Sequence, residues 1–187
     1  MKKKLKEHIE KIIPLTEDEF LIISSYFVFE KYQKNEFLIK QGKSADHCYF
    51  VVTGLLKLFY DDKDGKQHII SFAMEDWWES DFAAYFSKTK ANMSLQCIED
   101  ISVFSLSLES YHKLCTKIPK MERFFLQKSI SGQIASQNRI LSFLTSNAKE
   151  RYEQLLKQYP LLFQRVPKTL LASYLGVSRE TLSRLSS

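Results

Sequence analysis

Cysteine is scarce and scattered in this chain of 187 residues: Cys48, Cys97 and Cys115 are its three, odd in number and far apart. That spacing supplies no disulfide framework, no CxxC pair and no Cys/His set for zinc or an iron–sulfur cluster. Buried, reduced thiols are therefore expected, with no metal and no cofactor. Histidine is equally thin. His8, His47, His68 and His112 stand apart from one another, which withholds the His-x-His set a metal-dependent jelly-roll enzyme (a cupin) needs. Neither a Ser/His/Asp set nor a phosphate-gripping glycine loop is present, so catalysis has no candidate residues and no enzyme is expected. Long apolar runs are missing too. The basic start MKKKLKEHIEKIIPL is not followed by a continuous hydrophobic stretch, so neither a secretory signal nor a membrane span is expected, and the anticipated location is cytoplasmic.

What the chain does have is 44% hydrophobic residues, enough to bury a core, in a length that holds one medium domain and a small one. Its formal net charge of +5 is unevenly spread. Residues 15–118 carry eleven lysines against sixteen acids, whereas residues 119–187 carry eleven basic side chains against four acidic ones. A basic C-terminal third on an acidic body is the footprint of a protein whose tail alone meets phosphate.

The tail has a pattern that suits this. Leu170, Leu171, Leu175, Leu182 and Leu185 keep helical spacing on either side of a break at Gly176-Val177-Ser178, which predicts two short helices sharing one seam. Gly176 supplies a left-handed end for the first helix, and Ser178 is placed to cap the second. Ala172 leaves room for the two helices to cross. The result is a helix-turn-helix whose second helix starts Arg179-Glu180-Thr181-Leu182-Ser183-Arg184, with leucines inward and long polar side chains outward. Arginine can grip a guanine edge with two bonds and glutamate can accept from cytosine N4, so Arg179, Glu180, Ser183 and Arg184 are candidates for base reading. Lys168, Thr169 and Ser178 are candidates for phosphate contacts.

Upstream, 2–13 and 16–29 read as helical, with Thr16 capping the acids Glu17, Asp18 and Glu19. They are expected to pack on the domain that follows. From Tyr32 to about Leu108 the rhythm changes to short β-rich runs, 37–40, 48–53, 55–60, 68–73, 93–98 and 101–106. Gly42, Gly54 and Gly65 fall between them at near-even intervals, as in a β-sandwich or barrel. Helical spacing returns from Pro119 to about Ser146, where Phe124, Ile130, Ile134, Leu141 and Leu144 form an apolar side interrupted by Gln137 and Asn138. Asn147 is placed to cap a further helix, 148–159, ended by Pro160.

The run SRETLSR after a turn glycine resembles the DNA-reading helix of the Crp/Fnr family of bacterial transcription factors (cyclic-AMP receptor and fumarate-nitrate regulators). The block QGKSADHCYFVVTGLLKLFYDDKDGKQHIISFAMEDWW resembles that family's jelly-roll sensor, in the right order and well upstream. The resemblance covers roughly Phe37 to Ser187. It implies an α+β chain: a β jelly-roll, cyclic-nucleotide-binding-like sensor with N-terminal helices (1–118), a long dimerisation helix (119–146) and an all-α helix-turn-helix domain (147–187). It further implies a homodimer paired through Phe124, Ile130, Ile134 and Leu141, double-stranded DNA with a palindromic operator as partner, and contact with RNA polymerase. The oxygen-sensing branch carries an N-terminal cysteine cluster; residues 1–46 hold none, so iron–sulfur sensing is not expected.

At the sensor site the chain departs from the family. Members that bind cyclic nucleotides carry a Gly-Glu pair opening a short helix and an Arg-Ser or Arg-Thr pair further on; here Glu79-Ser80 and Ala91-Asn92 stand at those places. Glu75, Asp76, Glu79 and Asp81 add negative charge, with Lys88 and Lys90 to offset it, which disfavours a phosphodiester. The expectation is that cyclic AMP and cyclic GMP do not bind. Trp77, Trp78, Glu79 and Ser80 are the candidate lining of a pocket for a different, unidentified small-molecule effector; plain core is the competing reading for the tryptophans. A rival reading of the whole is a small-molecule-binding jelly-roll module whose C-terminal domain makes protein contacts.

Overall fold

A computed structural model describes residues 1–185; the final serines of the helix-turn-helix segment lie outside the described residues. Two helices open the chain, α1 (Lys2–Glu10) and α2 (Glu17–Ser25). Thr16 starts α2 as expected, accepting from the Glu19 backbone while the Glu19 carboxylate accepts from Thr16 N–H, so two otherwise orphaned donors are satisfied. The strands are β1 (Val28–Tyr32), β2 (Phe37–Ile39), β3 (His47–Thr53), β4 (Leu56–Asp61), β5 (Gln67–Ala73), β6 (Trp78–Glu79), β7 (Ser94–Cys97) and β8 (Ile101–Ser107), with helix α3 (Phe82–Ser87) between β6 and β7. All pair antiparallel, in two four-stranded sheets ordered β1-β8-β3-β6 and β2-β7-β4-β5. Then come α4 (Leu108–Lys117), α5 (Lys120–Thr145), α6 (Ala148–Gln158), α7 (Pro160–Arg165), α8 (Lys168–Leu175) and α9 (Arg179–Leu185).

Three cores result, because both sheets are covered on both faces. Tyr49, Val51, Leu56, Leu58, Leu95 and Val103 fill the space between the sheets. Alternate residues of the same strands point outward, and Cys48, Phe50, Val52, Phe104 and Leu106 meet Leu5, Ile9, Phe20 and Ile23 of the N-terminal helices, with Leu114 of α4 and Phe124 of α5. On the far side Phe59, Ile69 and Phe72 meet Leu155, Leu162, Leu171, Leu175 and Leu182. Strands buried on both faces read as near-continuous apolar runs rather than alternating ones, which is why CYFVV is solidly hydrophobic and ISVFSL is broken only by the small buried Ser102 and Ser105. Gly54, at the β3–β4 turn, has φ +97°, and a Cβ there would lie 2.5 Å from the Ile101 side chain and 2.6 Å from the Asp100 carbonyl. No other residue fits.

Several boundaries differ from the sequence expectation. The second helix stops at Ser25, and Val28–Tyr32 is a strand on β8, with Phe29 opposite Phe104 and their rings 5.2 Å apart. Pro160 does not merely end a helix. It occupies the first turn of α7, where the missing N–H has no partner to lose.

Candidate nucleic-acid interface and sensor cradle

Helix α8 ends as its sequence dictates. Gly176 takes φ +68°, and Val177 N–H bonds back to the Ala172 carbonyl at 3.0 Å, the glycine-terminated close that reverses the chain into the next helix. Ser178 Oγ then accepts from Thr181 N–H at 3.1 Å, capping α9. Leu182 packs with Leu171, Ala172 and Leu175, holding the two helices in contact. With that side anchored, Arg179, Glu180, Ser183 and Arg184 are exposed on the other, together with Lys168, Thr169 and Ser178 at the two helix starts. Arg184 Nη2 reaches the Thr181 hydroxyl at 3.4 Å. The Glu180 carboxyl is held below its ordinary range by its own backbone N–H and the Ser178 hydroxyl, so it is an ionised acceptor at neutral pH. The base-reading candidates thus share one outward face, and the phosphate candidates lie beside it.

The helices α6 to α9 do not hang free of the β body. Ser173 Oγ donates to the Gln67 carbonyl at 2.9 Å, and the Phe72 and Tyr174 rings lie 5.2 Å apart. Arg165, at the end of α7, spreads its guanidinium over two carboxylates, Glu75 at 2.8 and 3.1 Å and Glu99 at 2.9 and 2.6 Å. Burial opposes ionisation of Glu75, but the Arg165 bond and backbone N–H groups hold its carboxyl below the usual range. Arg139 of α5 donates to Ile69 O on β5 and to Tyr174 O on α8. Neither Arg139 nor Arg165 carries a local sequence signal. Their partners lie tens of residues away in the chain.

Along α5 the apolar side divides. Ile130, Ile134, Leu141 and Leu144 are exposed, Leu144 at 78%, and Leu126 and Ile140 join them. Phe124 does not belong to this seam: it is 0% exposed and lies among Trp78, Phe125 and His8 inside its own chain. The reason is angular. At 100° per residue Leu126, Ile130, Ile134, Leu141 and Leu144 cluster on one side, whereas Phe124 falls well round the helix, towards the sheet.

The sensor cradle is built from β6, α3 and the segment before β7. Glu79 is buried, accepts from Ser71 Oγ at 2.6 Å and from Ser80 N–H at 3.1 Å, and is pushed up to about 7 by burial. Ser80 donates to the His47 carbonyl. Asp81 is 0% exposed, and its carboxylate accepts from the backbone N–H of Ala84 at 3.2 Å, Asn92 at 2.8 Å and Met93 at 3.1 Å. A side-chain carboxylate therefore holds the Asn92 and Met93 N–H groups, while Ala91 N–H donates to the Lys43 carbonyl at 2.7 Å. The acids expected to form a bare negative field are instead individually partnered: Glu75 by Arg165, Asp76 by Lys11, Glu79 by Ser71 and Asp81 by backbone. Nor do Trp77 and Trp78 share a pocket. Successive residues of an extended segment face opposite ways, so Trp77 meets Tyr159 between α6 and α7 while Trp78 donates to His8 Nε2 and packs among Phe27, Phe50 and Phe125. Glu79 and Ser80 are buried beside them, and of the four expected pocket residues Trp77 lines the cleft between the sheet and helices α5, α6 and α8. The three thiols are buried apart, and burial pushes Cys48 and Cys97 up to about 12 and Cys115 to about 11.

Residues 29–117 match the family model described as the cyclic nucleotide-binding domain. Over 165 residues the chain is 26% identical to the transcriptional activator protein Anr of Pseudomonas protegens, covering 82% of this chain and 66% of that one. It is 25% identical to the anaerobic regulatory protein of Haemophilus influenzae over 166 residues, covering 82% of this chain and 63% of the relative. The chain thus spans slightly less than two thirds of either relative's length. The solved structure of FixK2 from Bradyrhizobium japonicum superposes with a TM-score of 0.73 at 20% identity, over 86% of this chain and 82% of that one.

Proposed function

Because the chain belongs to the Crp/Fnr family, we propose that it is a sequence-specific DNA-binding transcription regulator, a homodimer on a palindromic operator. The observation that carries this reading is the outward face of α9, where Arg179, Glu180, Ser183 and Arg184 are exposed together beyond the Gly176 turn. Arg179 and Arg184 take guanine edges, Glu180 accepts from cytosine N4, and Ser183 adds a contact to either base type. Lys168, Thr169 and Ser178 hold phosphates and set the register without reading sequence. A second copy pairs through Ile130, Ile134, Leu141 and Leu144 of α5, which sets the two α9 helices about 34 Å apart, one turn of the duplex. A regulator of this kind works in the cytoplasm, has RNA polymerase as a candidate partner and carries out no catalysis.

The test is a binding titration on operator DNA selected from a random pool. Arg179→Ala should weaken cognate binding by ~1–3 kcal/mol and relax sequence preference, whereas Lys168→Ala should weaken cognate and scrambled DNA alike and flatten the salt dependence. Equal losses on both DNAs for both variants would sink the assigned roles. Absent or salt-independent binding would favour a protein-contact role for the C-terminal domain.

Cyclic nucleotides are not ligands of this sensor. The support is Asp81, whose carboxylate already takes the Asn92 and Met93 N–H groups, and the absence of an arginine at Ala91 to hold a phosphate. Millimolar cyclic AMP should leave the melting temperature unmoved; a rise of several degrees would refute this reading.

A further inference from the structure

A cleft of about 240 Å3 opens where β5, α5, α6 and α8 converge. Phe72, Trp77, Tyr159 and Tyr174 give it aromatic walls, and Arg139 and Arg151 enter from the helices. The two guanidiniums flank the Phe143 ring, 5.0 and 4.8 Å from its centroid, and Arg139 also lies 4.2 Å over the ring of Tyr174. Among the described residues neither arginine pairs with a carboxylate. Arg139 donates to the carbonyls of Ile69 and Tyr174, and Arg151 to those of Leu175 and Ser146. Arg139 Nε is buried without any partner. Glu79 is set behind Ser71 on the sheet side, and its carboxyl is engaged by Ser71 and Ser80.

Two half-buried cations beside one another, with carbonyl dipoles and ring faces but no carboxylate among the described residues for company, are an arrangement that an anion relieves. The planar fork of arginine fits a carboxylate or phosphate, and the surrounding rings fit a flat apolar body. We propose that this cleft binds a small organic anion, a carboxylate or phosphate monoester on a planar apolar body, gripped by Arg139 and Arg151. The site is separate from the cradle that Asp81 fills. It is also independent of the pairing and DNA-binding assignments. At 100° per residue Arg139 falls opposite Ile130, Ile134 and Leu141, so a subunit seated on that seam lies away from the Arg139 guanidinium. Its walls come from both the sensor sheet and the helix-turn-helix domain, so an occupant touches both at once.

Calorimetric titration of the full chain with phenylacetate, phenyl phosphate and neutral phenylacetamide tests the proposal. Saturable binding is expected for at least one anion and none for the amide; whichever anion binds more tightly identifies the acid as carboxylate or phosphate. Arg139→Gln should weaken that binding about tenfold or more. Since Arg139 also ties α5 to β5 and α8, a second variant is needed: Ala135→Phe keeps both guanidiniums and narrows the mouth, and should weaken binding too. Silence from both anions with the folded wild-type chain, or unchanged affinity in both variants, overturns the proposal.

Discussion

Glu79 shows how a single buried group shapes the behaviour of the domain. Burial raises its folded value to about 7 from an ordinary 4.5, although Ser71 and Ser80 donate to it. Between those two pH values the folded chain holds a proton that the unfolded chain has released, so stability falls as pH rises from about 4.5 to 7 and then levels off, by up to about 3 kcal/mol. His8 acts in the opposite sense. Burial, with the Lys128 charge, lowers it from 6.5 to about 4, so its contribution is present above pH 6.5 and lost as pH falls towards 4. Glu79→Gln isolates the first effect: denaturant titrations should find the variant more stable than wild type at pH 8, and the gap should close by pH 4.5. Equal stability at pH 8 would rule out a strained carboxylate there. The sequence announced Glu79 as a departure from the family pattern but could not announce its environment, because Ser71 belongs to the other sheet and reaches it only when the two sheets pack. Asp81 was read as one more negative charge for the same reason. Its partners, the Asn92 and Met93 N–H groups, are backbone atoms that no side-chain pattern reveals.

At the scale of elements, the sequence carried most of the β domain because strands buried on both faces leave near-continuous apolar runs and their turns leave glycines. It also carried α8 and α9, where Gly176 and Ser178 do what residues of their type do at helix ends. It failed where two explanations share one pattern. Val28 and Phe29 continue an apolar stretch that suits a helix, yet their partner is β8; Pro160 suits both the end of one helix and the first turn of another. The exposed apolar stripe of α5 was legible except at Phe124, which belongs to the stripe by hydrophobicity but falls about a third of a turn away from it by angle. A corrected seam makes a sharper prediction. In sedimentation at micromolar concentration the wild type should run as a dimer, and Ile134→Asp with Leu141→Asp should release a 22.0 kDa species, since two like charges placed against their own copies repel. A wild type that is already monomeric would remove the basis for a palindromic operator.

For the whole molecule, the arrangement that matters is that helices α6 to α9 and the β body share their third core and are clamped by Arg165 on Glu75 and Glu99. These groups are partly exposed, so solvent screening limits what the clamp contributes to about 1–2 kcal/mol. Arg165→Ala should nonetheless loosen α7 and α8 selectively: amide exchange should quicken there while β3 and β8 keep their protection. Uniform loss of protection would mean that the clamp stabilises the entire fold. The two indoles of the chain follow from the same layout. One pleat step sends Trp78 into the layer made with the N-terminal helices and Trp77 towards the junction with α6, so a chain keeping only Trp77 would emit light that tracks the junction, and one keeping only Trp78 would track the layer beyond the opposite sheet. Adjacent residues thereby serve as separate optical gauges for the two ends of the sandwich.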